Sequence, residues 1–202
     1  FVPSLTRRVT GLFRSLADAS GYMGLSMDGP LAYFLTWNTY GTWLPGDARG
    51  WVEYGRGWKL PDPVREREAA AIMTEDACQL SPTQRVAVER QIEETCGHRR
   101  WHLYAVNCRS NHIHVVVAAH GVAPKKVRSD LKAWATRRLK TECDSTRQNW
   151  WAERGSVRHL HNEATLEAAI EYVLEAQDRK TEPLRRIPTI EPTAPIKPPP
   201  PM

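Results

Sequence analysis

Apolar residues are spaced along this chain in two distinct periods, and the period separates strands from helices. Leu31–Tyr40 (LAYFLTWNTY) is rich in aromatic and β-branched residues and predicts a first strand. Trp101–Arg109 and the run Asn111–Ala119 (NHIHVVVAA) flank the short break Ser110-Asn111, which predicts an antiparallel hairpin. Ser156–Leu160 is a fourth, shorter strand. Between these runs the spacing becomes helical. Ser81 serves as an N-cap, Pro82 takes the first helical position and Gln84 completes a capping box. Val86, Val88 and Ile92 give that helix part of an apolar face, and Gly97 ends it. Pro124 opens a long helix to about Glu142 with Leu131, Trp134, Ala135 and Leu139 on its apolar side. Asn162 caps a helix over Glu163–Lys180, where Leu166, Ala169, Ile170, Val173 and Leu174 form the buried stripe and Tyr172 lies beside it. Glu66–Asp76 also reads as helical, and residues 41–63, punctuated by Gly and Pro, read as an ordered loop.

This pattern divides the 202 residues into three parts. Residues 1–30 are an extension in which Arg7, Arg8 and Arg14 alternate with Leu5, Val9, Leu12, Phe13 and Leu16, without the continuous apolar centre of a secretory signal. Residues 31–180 are the folded domain, and residues 181–202 are a Pro-rich, extended tail. No apolar run approaches the roughly 20 residues needed to span a bilayer. The net charge of +5 is a modest basic excess, compatible with a polyanionic partner. Cys78, Cys96, Cys108 and Cys143 contain no C-x-x-C pair, which argues against a zinc ribbon. They also suggest no disulfide framework, so the expected setting is reducing and cytoplasmic.

Candidate chemistry centres on the histidine strand. Successive strand side chains point to opposite faces, so His112 and His114 share one face while Ile113, Val115 and Val117 take the other. Imidazoles two residues apart lie roughly 6–7 Å from each other and can converge on one divalent ion. The same spacing also describes two half-buried histidines bonded to their neighbours. Trp51, Tyr54 and Trp58 interleave with Arg49, Arg56 and Lys59, either as a stacking surface for single-stranded nucleic acid or as aromatics that pin a loop. The helix from Pro124 carries Lys125, Lys126, Arg128, Lys132, Arg137, Arg138 and Lys140, a phosphate-contacting face or a solvated one. A second His-x-His, His159-Leu160-His161, abuts a helix cap and lacks a following apolar run, which places it on the surface or facing DNA.

The order is strand, helix, hairpin with His112-Ile113-His114, basic helix, strand, and helix with Tyr172. In this order, in Tyr40-Gly-Thr-Trp-Leu-Pro-Gly-Asp47 and in Tyr172-Val-Leu-Glu-Ala-Gln177, residues 31–180 resemble the single-tyrosine HUH transposases, which include the insertion-sequence 200-like and REP-associated tyrosine transposases. The resemblance implies an α+β fold, a ferredoxin-like sandwich with helices packed on an antiparallel sheet. It implies a DNA transposase that cleaves and rejoins single-stranded DNA through a covalent 5′-phosphotyrosine on Tyr172 and leaves a free 3′-hydroxyl. It implies Mg²⁺ or Mn²⁺ on His112 and His114, with a third ligand from the tyrosine helix. Gln177 is favoured by the family's pattern and Glu175 by helix geometry, and both stay open. DNA contacts are expected from Lys125, Lys126, Arg128, Lys132, Arg137, Arg138, Arg49 and Trp43. The expected partners are hairpin-forming repeat ends and a second copy of the chain, with nucleoid association. A domesticated hairpin-binding protein that no longer cuts DNA is the alternative, and an unrelated two-histidine metal hydrolase stands behind it.

Overall fold

The computed structural model describes residues 29–176. The tail, Gln177 and all but the last two residues of the expected extension lie outside the described residues.

The apolar run after the histidines builds the centre of the fold. Strand β5 (His112–Ala118) is buried along nearly its whole length, the signature of a strand covered on both faces. It pairs antiparallel with β1 (Ala32–Asn38) on one side and with β4 (His102–Cys108) on the other. Strand β6 (Ser156–Leu160) adds to the far side of β1, giving the order β4-β5-β1-β6. Helix α2 (Pro82–Arg99) joins β1 to β4, and α3 (Pro124–Glu142) joins β5 to β6. This split β-α-β-β-α-β arrangement is ferredoxin-like, in agreement with the expected α+β class.

The two faces of the sheet differ. On the first, Tyr33, Leu35, Trp37, Ile113, Val115 and Val117 pack against Val88, Ile92 and Cys96 of α2 and Val127, Leu131, Ala135 and Leu139 of α3. Each fully buried Leu, Ile or Val contributes about 1.5–3 kcal/mol of transfer free energy. On the second face, Ala32, Ala105, Val116, Ala118 and Leu160 meet Ala169 and Val173, from α4 (Glu163–Glu171) and the π-helical turn Tyr172–Ala176 that continues it. Toward the C-terminal end of β1 and the start of β5 this second face becomes polar, through Thr36, Asn38, His112 and His114.

Several boundaries depart from the sequence reading for local reasons. The stretch read as a loop holds a short hairpin, β2 (Trp51–Glu53) and β3 (Gly57–Lys59). Helix α1 (Pro63–Ala71) starts before Glu66, because the Asp62 carboxylate accepts from the Val64 and Arg65 amides and Pro63 supplies a preset φ. Gly97 does not end α2, which is closed instead by Arg100 at φ 58°. Val86 is 48% exposed, since two residues from Val88 is about 200° around a helix. Trp134 is 39% exposed and lies under the Arg137 guanidinium, 5.5 Å from its ring. The expected helix over Glu163–Lys180 gives way at Tyr172 to π-helical winding. Gly46 (φ 93°) is where the 41–50 segment touches α1: a Cβ there would stand 2.3 Å from the Asp62 carbonyl.

Candidate active site

The polar end of the second face brings His112, His114 and Tyr172 together. Cross-strand partners share a face, so Asn107, His114 and Thr36 form one row and His112 and Asn38 the next. The two imidazole centroids are 4.9 Å apart, closer than the ideal strand spacing, with planes at 75°. Tyr172 meets His114 edge-on, ring centroids 5.6 Å apart, and Phe34 packs against both rings.

The orientation of each ring is set from behind. The Asn111 Oδ1 accepts from His112 Nδ1 at 2.7 Å, and the Thr36 hydroxyl lies 2.7 Å from His114 Nδ1. Oxygen partners on Nδ1 direct Nε2 to serve as the ligand atom, the usual arrangement behind a metal-binding histidine. These two imidazoles therefore fit a divalent cation as two of its ligands. The tyrosine turn is anchored to the same row, because the Asn107 side-chain amide donates to the Val173 carbonyl at 2.9 Å.

Two residues of the tyrosine helix were expected as third-ligand candidates, Glu175 and Gln177. Glu175 is exposed, and among the described residues no three His, Cys, Asp or Glu side chains cluster so as to hold a metal. An offset of three residues places side chains on one face in an α-helix, and the winding here is π-helical. Gln177, the other candidate, lies outside the described residues.

The expected DNA-binding residues fall into two groups. Those on α3 sit on the opposite face of the sheet from the histidines, and several are engaged within the chain. Lys126 pairs with Asp130, which also holds Arg99. Arg128 donates to the Gly155 carbonyl at 2.7 Å, and Arg138 bonds Gln91 and Glu94. Lys132 donates to the carbonyls of Ala152, Glu153 and Arg154, and burial pushes its ammonium down to about 8. Arg137 lies over Trp134, while Lys125 is exposed. The second group, Trp43 and Arg49, stands beside His112 in a cleft of about 200 Å³. His159 packs on Tyr33, 5.5 Å between centroids, on the α2–α3 face and away from His112, which leaves the second His-x-His out of the site.

Sequence reasoning missed Thr36, Asn38 and Asn107. Their signal was present: Phe34, Thr36 and Asn38 alternate along β1, and the last two are polar where the strand face is otherwise apolar.

No helix among the described residues is long and apolar enough to cross a membrane. A search of curated proteins found no match. Among solved structures, the chain is similar to a provisionally assigned transposase from Deinococcus radiodurans R1, with a TM-score of 0.42 and 17% identity over 77% of this chain and 97% of that one. It is also similar to a REP-associated tyrosine transposase bound to a REP hairpin, with a TM-score of 0.47 and 14% identity over 80% of this chain and 74% of that one. Residues 78–176, from the approach to α2 through the histidine hairpin to the tyrosine turn, match the family model described as transposase IS200 like.

Proposed function

We propose that this chain is a transposase that cuts and rejoins single-stranded DNA with Tyr172 as nucleophile, at a site where His112 and His114 hold a divalent cation, Mg²⁺ or Mn²⁺. The observation that carries the reading is the edge-on approach of Tyr172 to His114, at 5.6 Å between centroids, with His112 4.9 Å further along the same face. A bound cation there supplies Lewis-acid polarisation of a phosphodiester oxygen. The protein's own groups do the rest. Asn111 and Thr36 orient the imidazoles, and Asn107 fixes the turn that presents the phenol. In the transfer, a bond forms between Tyr172 Oη and phosphorus while the bond from phosphorus to the 3′-oxygen breaks. The phenol proton passes to solvent and the leaving oxygen takes one up, so the step is redox-neutral and balanced. A phenolate is also a good leaving group, so attack by a 3′-hydroxyl reverses the step without an external energy source.

Glu175 and Gln177 are the two proposed candidates for the third ligand. The proposed substrate is hairpin-forming repeat DNA, the proposed assembly a homodimer, and the proposed setting the cytoplasm at the nucleoid. A second reading, hairpin binding without cleavage, draws on the lack of a three-ligand cluster among the described residues. Labelled hairpin DNA incubated with Mn²⁺ and resolved on a denaturing gel separates the readings. The transposase reading expects an adduct with the wild-type chain that is lost in His112→Ala. Binding with no adduct supports the second reading. Cleavage that survives Tyr172→Phe indicates a metal hydrolase instead.

A further inference from the structure

The second face of the sheet continues past the histidines. Beyond His112, on the side away from the His114–Tyr172 contact, the cleft of about 200 Å³ is lined by Asn38, Thr42, Trp43, Arg49, Asn111 and His112. Its walls are set. The Trp43 indole donates to the Gly50 carbonyl at 2.8 Å, which fixes the plane of a ring that stays partly open. Arg49 forks onto Asp47, Nε at 2.8 Å and Nη2 at 2.7 Å, and Nη2 also reaches the Thr42 carbonyl. That pairing holds the Asp47 carboxyl below its usual range and raises Arg49. Arg49's charge is therefore largely offset, and a phosphate in the cleft would have to compete with a bidentate carboxylate. Asn38, the cross-strand partner of His112, makes no side-chain hydrogen bond among the described residues. A fixed aromatic plane, an unengaged amide and little net charge describe a receptor for a flat, neutral, hydrogen-bonding group.

We propose that this cleft is a base subsite, taking the unstacked base of the nucleotide on the 5′ side of the scissile phosphate. This rests on Tyr172 as nucleophile and on the histidines as the seat of the phosphate. In-line displacement puts the attacking and leaving oxygens on opposite sides of phosphorus. Tyr172 approaches from the His114 side, so the leaving 3′-oxygen and its nucleoside point toward His112 and the cleft. As the bond from Tyr172 Oη to phosphorus forms and the 3′-oxygen leaves and is protonated from solvent, the base stacked on Trp43 keeps the new 3′-hydroxyl beside the phosphotyrosine. The cleft thus selects the cut site through Asn38 and retains one end for rejoining.

The test reads binding first, in metal-free buffer, so that no cleavage is required. The probe is a fluorescent hairpin oligonucleotide with a single-stranded oligothymidine arm, in which one position at a time is replaced by an abasic site, and the readout is anisotropy. The wild-type chain is expected to show one arm position where loss of the base weakens binding roughly tenfold or more, the scale of base–aromatic stacking. Trp43→Ala should weaken binding of the intact arm by a similar factor and be indifferent to the abasic site. Asn38→Ala, which keeps the ring, should flatten discrimination among bases placed at that position. With Mn²⁺ added, the cut should fall on the 3′ side of that nucleotide. An abasic penalty equal in wild type and Trp43→Ala, an arm with no sensitive position, or a cut elsewhere overturns the subsite. Coupling to Trp43 without any covalent adduct supports the cleft and overturns the nucleophile. Failure of the wild-type chain to bind the intact hairpin overturns both readings.

Discussion

Replacing Asn107 by alanine separates anchoring of the tyrosine turn from stability of the fold. The Asn107 amide donates to the Val173 carbonyl at 2.9 Å, from the sheet row that carries His114 to the residue after Tyr172. One such bond is worth about 0.5–1.5 kcal/mol net. The substitution should therefore cost about 1 kcal/mol in unfolding free energy, or roughly 2–4 °C in melting temperature for a domain of this size. The catalytic cost should be larger. A displacement of about 1 Å in a reacting group can cost on the order of 10²-fold, equivalent to about 2.7 kcal/mol of barrier. Thermal melting and single-turnover adduct formation on hairpin DNA, both on the same preparation, give the two numbers. The reasoning fails if the adduct rate at 25 °C is unchanged. It also fails if stability drops by more than about 3 kcal/mol, which would make Asn107 a core residue rather than an anchor.

Three further outcomes follow from other contacts. Thr36→Val removes the oxygen from His114 Nδ1 and should weaken Mn²⁺ binding about 10–100-fold in a calorimetric titration; unchanged affinity would exclude the orienting role. Gly46→Ala forces a side chain into positive φ against the Asp62 carbonyl and should cost about 2–4 kcal/mol in denaturant unfolding. Lys132 has a folded pKa of about 8, below its ordinary 10.5, so the unfolded chain holds the extra proton between those values and this residue's contribution to stability rises with pH across that window. Lys132→Met should flatten that rise in melts taken across the window, and an unchanged pH profile would contradict the burial argument.

The sheet and its two histidines were legible in the sequence because their signals are local. Alternation in NHIHVVVAA places both imidazoles on one face, and the capping box at Ser81–Gln84 forms as its residues predict. Features that depend on register were less accessible. Thr36 and Asn107 reach the site only because they pair across strands with His114, which neither strand encodes alone. The basic stripe of α3 shows the opposite limit. Its charges are plain in the sequence, but Lys126, Arg128, Lys132 and Arg138 turn to partners within the chain on the far side of the sheet from His112. The change from α to π winding at Tyr172 carries no pattern signal, so an α-helical wheel drawn from the sequence does not describe Tyr172–Ala176.

The most direct measurement is mass spectrometry of the protein after incubation with hairpin DNA and Mn²⁺, nuclease trimming and proteolysis. The account predicts a nucleotide-bearing phosphotyrosine on the peptide containing Tyr172, absent in Tyr172→Phe and in His114→Ala. A nucleotide adduct on another residue, or cut DNA with no modified peptide, would contradict it.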